Sequence, residues 1–378
     1  MGGRVVEVTT LAASGPGSLA EALAAQGPRT IVFQVGGVID LAGGRLSLRS
    51  PHATIAGETA PPPGITIIRG GFGISSHDVI VRHIRVRVGE AGRAKRSGWE
   101  VDGVATNTAH DVIVDHCSIS WSTDENLSAS GPRFDGANVD EWRKNTSHRI
   151  TFSHCLIAEA LHDSTHGKGP HSMGSLIHDN ASDVLIYGNL YLSNNARNPL
   201  FKGGSRGAIV NNFVHNPGGG GPRFGLQAVE WEGRPWERGA LVIVGNVVRQ
   251  GPSSGERISF AAFRGPCDAC LKDNLLLDRA GQPLPTAPRF VNQAGEESAE
   301  PAPGEFRALP EPPFWPTGLE ARPAGEVVPW LLADVGARPW DRDAVDRRLV
   351  EEARTGGGKI IHSESEVGGY AVLTAPTH

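Results

Sequence analysis

Short runs in which Val and Ile alternate with small or polar residues recur along most of the chain: RTIVFQV at 29–35, HATIAG at 52–57, GITIIRG at 64–70 and DVIVRHIRV at 78–86. DVIVDHCSI at 111–119, RITFSHCLI at 149–157, DVLIYGNLY at 183–191, AIVNNFVHN at 208–216 and LVIVGNVV at 241–248 continue the series. Alternation with a period of two in β-branched residues predicts strands. Ile31, Thr54 and Val79 open successive runs 23 and 25 residues apart, a period that predicts a repeat architecture. Laid in phase, the runs superpose His83, His116 and His154, then Cys117 and Cys155, then Asn189, Asn212 and Asn246. Identical amides stacked at one corner of successive coils can bond each other and the backbone, which satisfies polar groups that burial would leave unpaired. The expected fold is therefore all-β, a parallel β-helix or solenoid.

Between the strands lie long insertions at 87–99, 130–147, 158–172 and 216–238, rich in Gly, Pro, charge and Trp. In a solenoid such insertions gather on one face and build a binding surface, here with 130–147 and 216–238, the latter carrying Trp231 and Trp236, as cleft walls or else ordinary surface loops. Ser18 is placed to cap a short helix with Leu19, Leu23 and Ala24 on its apolar face. Past residue 280 the strand pattern gives way to Pro-rich extended chain and two short helices, at 326–336 and at 341–355, the second capped by Asp341. Phe314, Trp315, Trp330 and Trp340 call for burial, so residues 281–378 are expected to pack as an extension on a catalytic β-helix spanning 4–280.

Composition agrees with a turn-dense β protein: 49 Gly and 27 Pro, with 6% aromatic residues, in 378 residues. A net charge of −5 supplies no basic field for nucleic acid, and no apolar run is long enough to span a membrane. Four cysteines are too few for a disulfide scaffold. Cys117 and Cys155 are expected as stacked core residues, and the lone Cys267/Cys270 pair as a loop disulfide or two thiols.

The densest chemistry lies in WEVDGVATNTAHDVIVDHCSISWSTDENLS at 99–128, where Glu100 and Asp102 precede a predicted strand and Asp124 and Glu125 follow it. Carboxylates that close raise one another's pKa, which calls for a bound cation or a catalytic pair; solvated loop acids are the alternative. All-oxygen donors suit Ca²⁺ rather than zinc. Downstream, SNNARNPLFKGG at 193–204 places Arg197 and Lys202 about Pro199, a cationic pair fit for a polyanion or else a surface salt bridge. His162, His166, His171 and His178 surround Lys168 at irregular spacing, which favours substrate hydrogen bonding or exposure over a metal site.

These stretches, with GPGSLAEAL, ATIAGETAPPPGI, VIVRHIRVR and HSMGSLI, resemble polysaccharide lyase family 1, the pectate lyases, from residue 4 to about 280. The tail DVGARPWDRDAVDRRLV resembles that of bacterial members. The resemblance implies a right-handed parallel β-helix that cleaves polygalacturonate by calcium-assisted β-elimination, giving 4,5-unsaturated oligouronates. It implies Arg197 as proton abstractor and Lys202 in place of the second Arg of the Arg-x-Pro-x-x-Arg motif. Glu100, Asp102, Asp124 and Glu125 are the expected metal-binding residues, and Lys168, His171 and Trp231 the expected substrate contacts. Two positions depart from the family: Ser128 stands where a second acid after the strand is usual, and Met173 where a substrate-binding Lys is usual. The implied partner is an acidic plant cell-wall polysaccharide. The start MGGRVVEV has no apolar h-region, so the protein is either cytoplasmic or has had a signal peptide removed, and such a substrate favours the second, a secreted or periplasmic monomer. Rival readings are a β-helix glycoside hydrolase with an acid/base carboxylate pair, a pectin lyase, and a non-catalytic adhesin.

Overall fold

The computed structural model describes residues 3–373. Among these the chain winds into three sheets of eleven, ten and ten strands, parallel except for one antiparallel strand closing each ten-stranded sheet, with each coil adding one strand to each sheet. On the first sheet Val79, Val112, Ile150 and Val184 stand in register on successive coils, all buried. The period-two pattern thus becomes a continuous apolar file, since alternate side chains of every strand face the interior. Among the described residues no helix is long and apolar enough to cross a membrane.

Each nine-residue run proves to be two strands. DVIVDHCSI lies in His110–Asp115 of the first sheet and Ser118–Ser120 of the second. His116 turns the corner with φ 47°, as His83 and His154 do on neighbouring coils at φ 56° and 50°. One residue in the left-handed region redirects the chain while the strand pattern runs on either side, so the corner leaves little mark in the hydrophobic pattern. The three corner imidazoles stack at 5.1 and 4.6 Å. The next residue forms the interior file Cys117, Cys155, Asn189, Asn212, Asn246 and Asn274, all fully buried save the last. Asn212 Nδ2 donates to Asn246 Oδ1 at 2.9 Å and Asn189 Nδ2 to Asn212 Oδ1 at 3.0 Å, and the ladder ends where Cys155 N–H donates to Asn189 Oδ1 at 2.8 Å. Cys267 and Cys270 are buried free thiols on a first-sheet strand rather than a loop disulfide.

Ser18 caps Leu19–Ala24 by accepting from Glu21 N–H, though Ala22 rather than Ala24 joins Leu19 and Leu23 in the core. The coils run past residue 280, with Arg289–Val291 on the third sheet and Phe306–Ala308 on the first. Helices Ala324–Asp334 and Ala344–Thr355 then cover the second sheet, burying Val327, Leu331, Leu349 and Val350 against Leu156, Leu190 and Phe213. The second helix is capped by Asp343, which accepts from Asp346 N–H, not by Asp341. Asp343 and Asp346 also pair with Arg85 and Arg87, two fully buried arginines that fasten the tail to the coils. The tail buries fewer aromatics than its composition suggests: Trp315 and Trp340 remain 38% and 57% exposed.

Candidate active site on the third sheet

Asp102 lies just before the third-sheet strand Val104–Asn107, and Asp124 and Glu125 lie at the start of the adjacent strand Glu125–Ser130. Coil stacking therefore brings acids 22 and 23 positions apart in sequence to one end of the sheet. Oxygens of Asp102, Asp124 and Glu125 all lie within 4.8 Å of one another. Asp102 accepts from Glu125 N–H at 3.1 Å and from the Ser128 hydroxyl at 2.5 Å. Ser128 thus orients an acid at the place where a further carboxylate is usual, and Glu125 brings the third carboxylate from the strand's first residue. Burial and the neighbouring Asp124 push Asp102 up to about 7.

Glu100 is not one of the three. Its Oε1 accepts from Gly167 N–H at 3.1 Å and lies 3.5 Å from His166 Nδ1. Asp124 is held by two imidazoles of the 158–172 insertion: Oδ1 lies 2.8 Å from His171 Nε2 and 3.5 Å from His166 Nε2, and the two rings stack at 3.7 Å. Burial alone would raise Asp124, but the His171 hydrogen bond and the charges of His171, His166 and Arg197 hold it below the ordinary carboxylate value. His166 Nδ1 accepts from Lys168 N–H at 3.1 Å, which puts the proton of the neutral ring on Nε2, facing Asp124. Together with Asp124 the two imidazoles also bring three metal-ligating atoms within 4.8 Å of one another. His171, expected at the substrate, is mostly buried and serves Asp124; Lys168 is exposed.

Arg197 occupies the corner before the strand Leu200–Lys202, with φ 58°. The corner is anchored from inside by a second file of buried amides: Asn126 Nδ2 donates to Asn194 Oδ1 at 3.1 Å and Asn194 Nδ2 to Asn198 Oδ1 at 3.3 Å. Arg197 is in ionic contact with Glu125, and burial lowers its pKa although Asp124 and Asp102 oppose that shift. Met173, paired with Glu125 on the strand between, contributes no charge. Arg45 adds a cation on the far side of Asp102.

Lys202 is nearly buried, in contact with Glu230 and 3.6 Å from Asp179. Trp231 corrects the expectation of a substrate contact on a cleft wall: it is fully buried, its indole N–H donates to Asp179 at 2.9 Å, and its ring packs on Phe134 and Trp142. A large ring carrying one donor is satisfied by an apolar pocket with a buried acceptor. Sequence reasoning passed over Arg45, Arg133, Asp179 and Glu230, which sit singly in insertions or strands with no local pattern. At Arg197 a groove of about 210 Å³ runs from Met173 on the preceding coil to Arg223 and Arg264 on later coils. A larger hollow of about 770 Å³ on the first sheet, around Thr54, Ile80 and Asp111, holds none of these groups.

Residues 63–228, which include the acids, Arg197 and Lys202, match the family described as pectate lyase. A protein named "Probable pectate lyase C" from Neosartorya fischeri is 32% identical over 99% of this chain and 79% of its own length. Among solved structures, Jun a 1, the major allergen from cedar pollen, aligns over 89% of both chains with TM-score 0.54 and 14% identity. A mutant of Bacillus subtilis pectate lyase aligns over 88% of this chain and 92% of its own with TM-score 0.51 and 12% identity. These two share the coiled fold; full-length identity above three residues in ten, together with the family match across the acid and arginine coils, makes this chain a member of the pectate lyase family.

Proposed function

We propose that the protein cleaves polygalacturonate by β-elimination with the help of Ca²⁺, releasing 4,5-unsaturated oligouronates. The observation that carries this reading is the juxtaposition of Arg197 with three converging carboxylates on one sheet edge. Eliminating across C4–C5 of a uronate requires loss of a proton alpha to a carboxylate, so the site needs a base and a means of stabilising charge on that carboxylate.

The residues fit the cation. Asp102, Asp124 and Glu125 form an all-oxygen donor set suited to a hard ion, and the upward shift of Asp102 comes from burial first and then from the neighbouring Asp124, which a bound cation would offset. Ca²⁺ held there would withdraw charge from the uronate carboxylate. Arg197, its guanidinium partly desolvated, takes the C5 proton; burial moves it toward the neutral form that a base must adopt. Breaking its ionic contact with Glu125 is part of readying it, since a paired carboxylate favours the charged form. Lys202 binds carboxylate, and Lys168 stands exposed at the rim. The groove past Arg223 and Arg264 extends the cationic track along which an acidic cell-wall polysaccharide would lie. Such a substrate places the working enzyme outside the cytoplasm.

Ultraviolet absorbance of the unsaturated product, recorded on polygalacturonate, methylated pectin and alginate with and without Ca²⁺, tests the proposal. Calcium-dependent absorbance on polygalacturonate is the expected result. Chain scission without unsaturation would point to hydrolysis, and calcium-independent product from pectin to a pectin lyase.

A further inference from the structure

Lys202, which binds carboxylate in the proposed reaction, belongs to a four-charge cluster whose other members, Asp179, Arg133 and Glu230, have no part in that reaction. Asp179 lies at its base, fully buried, accepting from Trp231 Nε1 at 2.9 Å and from Arg133 Nε at 3.0 Å. Above it stand two cations, Lys202 and Arg133, delivered by the third sheet and by the 130–147 insertion. Across their outer side lies Glu230, in contact with Lys202 and 3.8 Å from Arg133. The two acids differ in standing. Asp179 has 0% side-chain exposure and directed hydrogen bonds; Glu230 is 27% exposed and is held by its ionic contacts. Glu230 is carried by a single 3₁₀ turn, Ala228–Trp231, whose next-door Val229 is 82% exposed. His178 adds no charge near neutrality, because burial lowers it to about 4.

With Glu230 in place the cluster is neutral and Lys202 is covered; with Glu230 withdrawn, two cations face outward over one buried acid. We propose that Arg133 and Lys202 together form a carboxylate-binding subsite for a uronate, and that Glu230 is an internal carboxylate which fills this subsite until the substrate displaces it. The subsite lies beside the catalytic groove, since Lys202 ends the strand Leu200–Lys202 that follows the Arg197 corner. The inference rests on the lyase reading for the identity of its ligand as a uronan. A carboxylate that belongs to the chain competes at high effective concentration, so it selects for polymers presenting several carboxylates at once and rejects lone small acids.

The test is isothermal titration of a galacturonate trimer into the full chain, its Glu230→Gln and Glu230→Ser variants, and a Glu230→Gln/Arg133→Gln double variant. If Glu230 occupies the subsite in roughly nine molecules of ten, removing it tightens binding by about tenfold. That gain should appear in both single variants and vanish in the double variant, with the melting temperature of Glu230→Gln close to that of the parent. Unchanged or weaker binding in both single variants would overturn the proposal and leave Glu230 as a clamp on its own loop. Product absorbance, recorded on the same proteins, separates the two readings. Tighter trimer binding with no unsaturated product from any protein keeps the subsite and removes the lyase; normal product with unmoved binding removes the subsite alone.

Discussion

The carboxylate of Glu125 and the guanidinium of Arg197 meet across the coil of Met173, which lies in register between them. One contact therefore joins the acid cluster to the base. A methionine at the intervening position lets the two charges touch, where a lysine there would compete for Glu125.

If Arg197 removes the C5 proton, Arg197→Ala should lower kcat by about 10²–10⁴-fold while changing KM less, because the interaction is made in the transition state. Arg197→Lys should still lose about a hundredfold, since its shorter, differently directed group misplaces the base. A raised KM with kcat intact in both variants would reduce Arg197 to a binding cation. Steady-state kinetics on polygalacturonate measures both.

Asp102→Ala and Asp124→Ala should each raise the half-saturating Ca²⁺ concentration by about tenfold or more, measured by calorimetric titration of the metal. The pH dependence has a definite sign. With Asp102 pushed up to about 7, binding a cation expels a proton, so calcium affinity should fall as the pH drops through that value. An affinity that stays flat from acid to neutral pH would remove Asp102 from the ligand set.

In the amide ladder, Asn212 donates to Ile186 O and Asn246 Oδ1 and accepts from Asn189. Asn212→Ala strands partners on both sides, and should destabilise the protein by about 1–3 kcal/mol. Denaturant unfolding followed by circular dichroism would show this as a lowered midpoint at constant slope.

His116 links the coils to the tail, its Nδ1 2.8 Å from Asp115 and its Nε2 3.2 Å from Asp334 at the end of helix Ala324–Asp334. Burial lowers its pKa, but the two carboxylates outweigh burial and raise it above the ordinary 6.5. A raised folded-state value means that the charged ring stabilises fully below 6.5 and loses that effect as the pH climbs through the raised value. His116→Asn should therefore cost more stability at roughly pH 6 than at roughly pH 9, read from urea midpoints against the parent at each pH. An equal cost at both would show that the ring acts by packing alone.

The repeat, the strands and the amide file were legible in the sequence because each is a matter of period: side chains alternate along a strand, and one position per coil returns to the same corner. The split of DVIVDHCSI into two strands was not, since His116 turns the chain by one backbone angle that leaves the apolar pattern unbroken. The residue types of the site were legible too, as a run of acids and a cationic pair about a proline. Their partners were decided by coil stacking. Glu125 joins Asp102 and Asp124 while Glu100 turns away to Gly167, and Trp231 is drawn inside to Asp179. Arg133, Asp179 and Glu230 come from three separate stretches and meet at Lys202. Insertions obey no period, so the charge that each loop lays against the sheet depends on the register of coils up to 97 residues apart, from Arg133 to Glu230, which only the folded chain supplies.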